Sequence, residues 1–126
     1  MTRAARSVYV FGIYLIVLGG VLIGSPNTLL ALLQLPTTTE PWIHILGVPI
    51  MALGMYHISA ARAELTPFFR ASVWIRVFPL IILLVLAATR IVPPIIGGFG
   101  IVDGASALWT YLALRDRIPV TKAEAA

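Results

Sequence analysis

The chain has 126 residues, of which 60% are hydrophobic and 11% charged, with a mean hydropathy of +0.98. A water-soluble domain carries about a quarter charged residues, and so small a body has no interior large enough to hide this much apolar surface. The lipid bilayer is the solvent that remains. Cysteine is absent, which excludes disulfides, thiolate metal sites, iron–sulfur clusters and cysteine nucleophiles. The net charge is +4.

Four segments approach the ~20 apolar residues that cross a bilayer core. The first runs over residues 7–24. It follows two arginines as a signal peptide would, but Gly24-Ser25-Pro26 is a poor cleavage site and further spans follow, so it is read as retained. Next comes an apolar run over 29–35. It is too short to cross and is expected as a short interfacial helix between the first two spans. Thr39 or Glu40 ahead of Pro41 is a helix-start signal and opens the second span, 41–61. Thr66-Pro67 repeats the signal for an amphipathic lead-in, where Phe68, Phe69 and Trp74 suit the headgroup region. The third span is expected over 73–91 and the fourth over 95–114. Pro49 and Pro79 lie inside the second and third. The expected fold is all-α, a four-transmembrane-helix bundle forming a single integral membrane domain.

The basic residues orient it. Arg3, Arg6, Arg62, Arg70, Arg76, Arg115, Arg117 and Lys122 fall on one side of such a bundle, and Arg90 alone on the other. By the positive-inside rule this places both termini in the cytoplasm, in a bacterial inner (plasma) membrane. The positive charge is then a topology signal, and no nucleic-acid partner is implied.

Polar residues within the spans are few, and an intramembrane acid is costly. Asp103 is the only charged residue over 95–114. A period of 3.6 gives the fourth span a small, polar stripe of Gly100, Asp103, Ser106, Ala107 and Thr110, opposite Val102, Ala105, Leu108, Trp109 and Leu112. Gly100 with Gly104, and Gly20 with Gly24, have the four-residue spacing of closely packed membrane helices. In the outer half, Glu40 and His44 share a helix face one turn apart. Arg90 has a stem long enough to reach towards Asp103, and Tyr14 offers a hydroxyl. Asp103, Arg90, His44, Glu40 and Tyr14 are therefore the candidate ligand-binding residues. A second group towards the cytoplasm holds Tyr56, His57, Arg62 and Arg76, with Arg76 expected to snorkel to the headgroups.

No cofactor or metal is expected. His44 and His57 are thirteen residues apart, about 140° around a helix, so they cannot ligate one haem from a single chain. No phosphate loop or serine nucleophile motif is present, and catalytic residues are not assigned.

The run Gly19-Gly20-x3-Gly24-Ser25-Pro26, the Ile45-Leu46-Gly47 start of span two, Ala60-Ala61-Arg62-Ala63, an arginine-bearing third span, and Asp103 through Leu114-Arg115 together resemble the DoxX-like small four-helix bacterial membrane proteins. That resemblance implies an inner-membrane four-helix bundle, in some cases an accessory subunit of a redox complex or quinone-linked system. The expected function is a non-catalytic accessory or scaffold subunit, or a binder of a small amphipathic molecule in the outer-half pocket. The expected partners are the lipid bilayer, a larger membrane complex or further copies of the chain. The alternatives are a proton-coupled small-molecule transporter acting as a homo-oligomer, with Asp103 as its carboxylate, and a membrane enzyme on lipid or isoprenoid substrates using His44 and Asp103.

Overall fold

The structure, a computed structural model, describes residues 1–116; Arg117 and Lys122 lie outside the described residues. These are all-helical, without a strand: α1 (Arg3–Gly24), α2 (Pro26–Leu32), α3 (Trp42–Arg62), α4 (Thr66–Ala88), a 3-10 turn (Pro94–Ile96) and α5 (Gly97–Arg115). Four of them, α1, α3, α4 and the turn-plus-α5 segment, are long and apolar enough to cross a membrane. The 7-residue α2 falls within the first connection, with Pro26 in its first turn. The helix of the third expected span, α4, begins at Thr66, so the expected lead-in is continuous with it, and it ends at Ala88, short of Arg90.

Three helices stop in the same way, and without glycine. Gln34, Glu64 and Arg90 adopt φ of 56°, 52° and 60°, two residues after the ends of α2, α3 and α4. After each, the chain closes a six-residue turn: Leu35 N–H donates to Leu30 O at 2.8 Å, Leu65 to Ala60 at 3.0 Å, and Ile91 to Leu86 at 3.0 Å. These are Schellman caps, which satisfy carbonyls that a helix end otherwise leaves open.

The described chain falls into two compact units, one of residues 9–59 and one of residues 1–8 with 60–116. In the first, α1 and α3 run antiparallel at backbone contact distance. A methyl placed on Gly19 would lie 2.6 Å from the Met51 nitrogen and 2.7 Å from the Gly47 oxygen, and one on Gly12 would lie 2.9 Å from the Gly54 oxygen. Only glycine permits this approach. The pair Gly20 and Gly24, expected to serve that purpose, does not. Gly24 has no neighbour within 4 Å and Gly20 meets only the flexible end of Met51. At one end of this unit the Asn27 amide brackets Thr38, donating to its carbonyl at 3.0 Å and accepting from its N–H at 2.9 Å.

In the second unit α4 and α5 form an antiparallel hairpin. Gly100 faces Leu80, Leu83 and the Pro79 carbonyl, Gly104 faces Leu80, and Gly97 faces Ala87. The buried positions of α5 are Gly97, Gly100, Ala107, Thr110 and Ala113, while Val102, Leu108, Trp109 and Leu112 are exposed. The small side of α5 is therefore the inner one, as its period requires. The start of α1, the end of α3 and the start of α4 meet at one end of this unit. There Thr2 N–H and Oγ1 each donate to the Glu64 carboxylate at 2.7 Å, and Thr2 Oγ1 also accepts the Ala5 N–H at 3.1 Å as the N-cap of α1.

Candidate functional site

The polar centre of the structure is an arginine. Arg76 is 3% exposed and lies ten residues in from Thr66, about 15 Å along α4. Its guanidinium is held in neutral groups. Nε donates to the Ser72 carbonyl at 3.2 Å, Nη1 to Ser106 Oγ at 3.1 Å, and Nη2 to Ser72 Oγ at 3.1 Å and Thr110 Oγ1 at 2.9 Å. Two i, i+4 pairs make this cradle, Ser72 with Arg76 on α4 and Ser106 with Thr110 on α5, which the 3.6 period stacks on single faces. The network reaches the start of α1 through Ser7, whose Oγ lies 2.7 Å from Thr110 Oγ1 and donates to the Ala4 carbonyl at 2.7 Å. Ser7, Ser72 and Thr110 are buried with the arginine.

Asp103 lies one turn from Ser106, whose Oγ donates to its backbone carbonyl at 2.8 Å. The carboxylate is half-buried and is attracted by the charge of Arg76. Among the described residues it accepts no hydrogen bond. Arg90 is not its partner. With Gly100 against Leu80 and Leu83, Arg90 falls about 15 Å further along the hairpin axis than Asp103. It is exposed in the left-handed cap after α4, and among the described residues the two form no ion pair. The arginine whose charge attracts Asp103 is Arg76, within α4, whereas the expected Arg90 lies just past the end of that helix.

The other candidate residues have their own neighbours. Glu40 accepts from the indole Nε1 of Trp42, so its carboxylate is taken up two residues away and not by His44. His44 is exposed, and its Nδ1 donates to the Ile23 carbonyl at 2.6 Å, tying the start of α3 to the end of α1. Tyr14 packs its ring against Phe11 at a centroid distance of 5.7 Å. His57 is buried, edge-on to Phe11 at 5.1 Å, with Nδ1 donating to the Leu53 carbonyl at 2.7 Å. Among the described residues no group of three metal-ligating side chains comes together.

A groove of about 230 Å³ opens at the end of the α4–α5 hairpin where α4 begins and α5 ends. Arg70, Val73 and Trp74 line it from α4, and Tyr111, Leu114 and Arg115 from α5.

No family model, curated protein or solved structure matches this chain.

Proposed function

We propose that this chain is a multi-span protein of the bacterial inner membrane with both termini cytoplasmic, its long helices gathered into one bundle and α2 lying at the bilayer surface. Supporting the membrane reading, polar side chains are buried beside the apolar core while many large apolar side chains face outward. Ser7, Ser72, Arg76 and Thr110 are buried, and Trp74, Ile75, Phe78, Ile81, Val85, Ile101 and Leu108 are exposed. Water would reverse that arrangement, since burial of apolar area is the main favourable term in aqueous folding. In hydrocarbon the polar side chains are the ones that need internal partners.

Within that reading the role is a non-catalytic one, as an accessory or scaffold subunit or a binder of a small amphipathic molecule, of the DoxX-like kind. A single observation carries it. Arg76 directs its hydrogen bonds into the protein's own hydroxyls and a carbonyl, leaving the half-buried Asp103 carboxylate without a donor among the described residues. A carboxylate at membrane depth is costly without one, and a donor from a partner helix or a ligand amine or hydroxyl would complete it.

The test is what co-purifies in mild detergent, identified by mass spectrometry for the wild type and for Asp103→Asn. A stoichiometric polypeptide or small molecule that the variant loses, at unchanged helicity, is the expected result. Proton-linked flux in proteoliposomes abolished by the same variant would replace this role with transport. Turnover of a lipid substrate lost on His44→Ala would replace it with catalysis.

A further inference from the structure

We infer that the groove between Arg70 and Arg115 is a binding site for the headgroup of an acidic phospholipid. The inference rests on the membrane reading above. Three observations converge on it. The first is charge. Two guanidiniums, one from each helix of the hairpin, line one groove of about 230 Å³, and both side chains are exposed. The nearby acids of this end are engaged elsewhere. Glu64 accepts both donors of Thr2, and Asp116 pairs with Arg3 at 3.5 Å. Among the described residues neither Arg70 nor Arg115 has a carboxylate partner, so their charge is available to an anion from outside the chain.

The second observation is shape and chemistry. Guanidinium is planar and weakly hydrated, and it presents a fork of donors that fits two phosphate oxygens. The same groove is walled by Trp74 and Tyr111, with Val73 and Leu114 beneath. Indole and phenol rings favour the level of lipid glycerol and headgroups, where one edge is wet and the other apolar. A soluble anion would use the arginines and leave the rings idle; a phospholipid uses both.

The third is continuity. On α4 the apolar surface goes on from Trp74 to Ile75, Phe78, Ile81 and Ile82, all exposed, away from the arginines and along the helix. An acyl chain attached to a phosphate held at Arg70 and Arg115 would run along this surface. The groove lies at the end where the positive-inside pattern places the cytoplasmic leaflet, the leaflet rich in anionic lipid.

The full-length protein in nanodiscs of mixed phosphatidylglycerol and phosphatidylcholine, released into native mass spectrometry, tests this. Wild type is expected to retain phosphatidylglycerol over phosphatidylcholine, and Arg70→Gln with Arg115→Gln to lower that preference about tenfold or more. Arg62→Gln, at the same end of the molecule but outside the groove, is expected to leave it unchanged. Trp74→Ala is expected to weaken retention without abolishing the preference for acid. Equal retention by the double variant, or an equal loss with Arg62→Gln, would overturn the site. If inorganic phosphate alone reproduced the thermal stabilisation given by phosphatidylglycerol, the ligand would be a soluble anion and the lipid assignment would fall. Resistance of each variant to carbonate extraction reads membrane integration separately. An extractable wild type would sink the membrane reading, whereas an integral protein indifferent to lipid charge would sink only this site.

Discussion

Arg76 shows how a charge is tolerated deep in an apolar helix. Its donors meet Ser72, Ser106 and Thr110, and the charge of Asp103 offsets its own. Removing one member of such a set leaves the others desolvated, which costs about 3–5 kcal/mol for a buried pair. Arg76→Ala is therefore expected to lower the unfolding free energy by about 3 kcal/mol or more in a denaturant titration of the detergent-solubilised protein. Arg76→Met combined with Asp103→Asn removes both charges together and should recover most of that loss. A single alanine variant within 1 kcal/mol of wild type would mean that water already reaches the guanidinium. Arg90 makes the opposite case. It holds φ at 60° as the residue after the C-cap of α4, a conformation that costs a residue with a Cβ about 1 kcal/mol. Arg90→Gly should thus be neutral or stabilise by up to about 1 kcal/mol, measured in the same way. Were Arg90 instead bound to Asp103, that substitution would be harmful.

At the scale of helices, close approach is localised, and the local environment decides the sign of each glycine substitution. Gly19→Leu drives a side chain into the Met51 and Gly47 backbones and should cost about 1–3 kcal/mol through overpacking. Gly24→Ala meets nothing within 4 Å and should be neutral or slightly stabilising by about 1 kcal/mol or less. Equal effects of the two on thermal stability would count against the α1–α3 contact. Searching the letters for a four-residue spacing picks out Gly20 and Gly24, yet the working pairs are Gly12 with Gly19 and Gly47 with Gly54, each seven residues apart. Seven residues is two turns, the repeat of shallow left-handed helix crossings. Much else was legible. The segments expected over 41–61 and 95–114 match the helices α3 and α5 to within about two residues at each end, because Pro41, the arginines and long apolar runs mark their limits. The inner stripe of α5 followed from its period. The depth of Arg76 did not, because Phe68, Phe69 and Trp74 suggested a headgroup segment. With α4 starting at Thr66 and not at 73, Arg76 moves about 10 Å deeper. The pairs Ser72–Arg76 and Ser106–Thr110 were the available signal for its cradle. The neighbours of Glu40 and His44 could not be read at all, since a carbonyl such as that of Ile23 leaves no trace in side-chain pattern.

For the molecule as a whole, the proposed membrane reading requires one threading through the bilayer that satisfies basic residues and hydrophobic lengths together. Arg3, Arg6, Arg62, Arg70 and Arg115 all belong to the unit in which α1 begins, α3 ends, α4 begins and α5 ends, and the contacts Thr2–Glu64 and Arg3–Asp116 join those termini. Arg90 lies at the far end of the α4–α5 hairpin. Because the Lys and Arg bias acts on whole orientation, the distribution predicts that single cysteines will divide cleanly. The chain has no cysteine of its own, so each introduced thiol reports alone. Thr37→Cys, in the first connection, and Val92→Cys, in the α4–α5 connection, should react with an impermeant maleimide in intact cells. Ala63→Cys, between α3 and α4, should react only after the membrane is opened. Labelling of Ala63→Cys from outside would invert the threading and move the arginine groove to the outer leaflet. Labelling of all three in intact cells would mean that these helices do not cross the bilayer, and with that the buried arginine would need a different explanation.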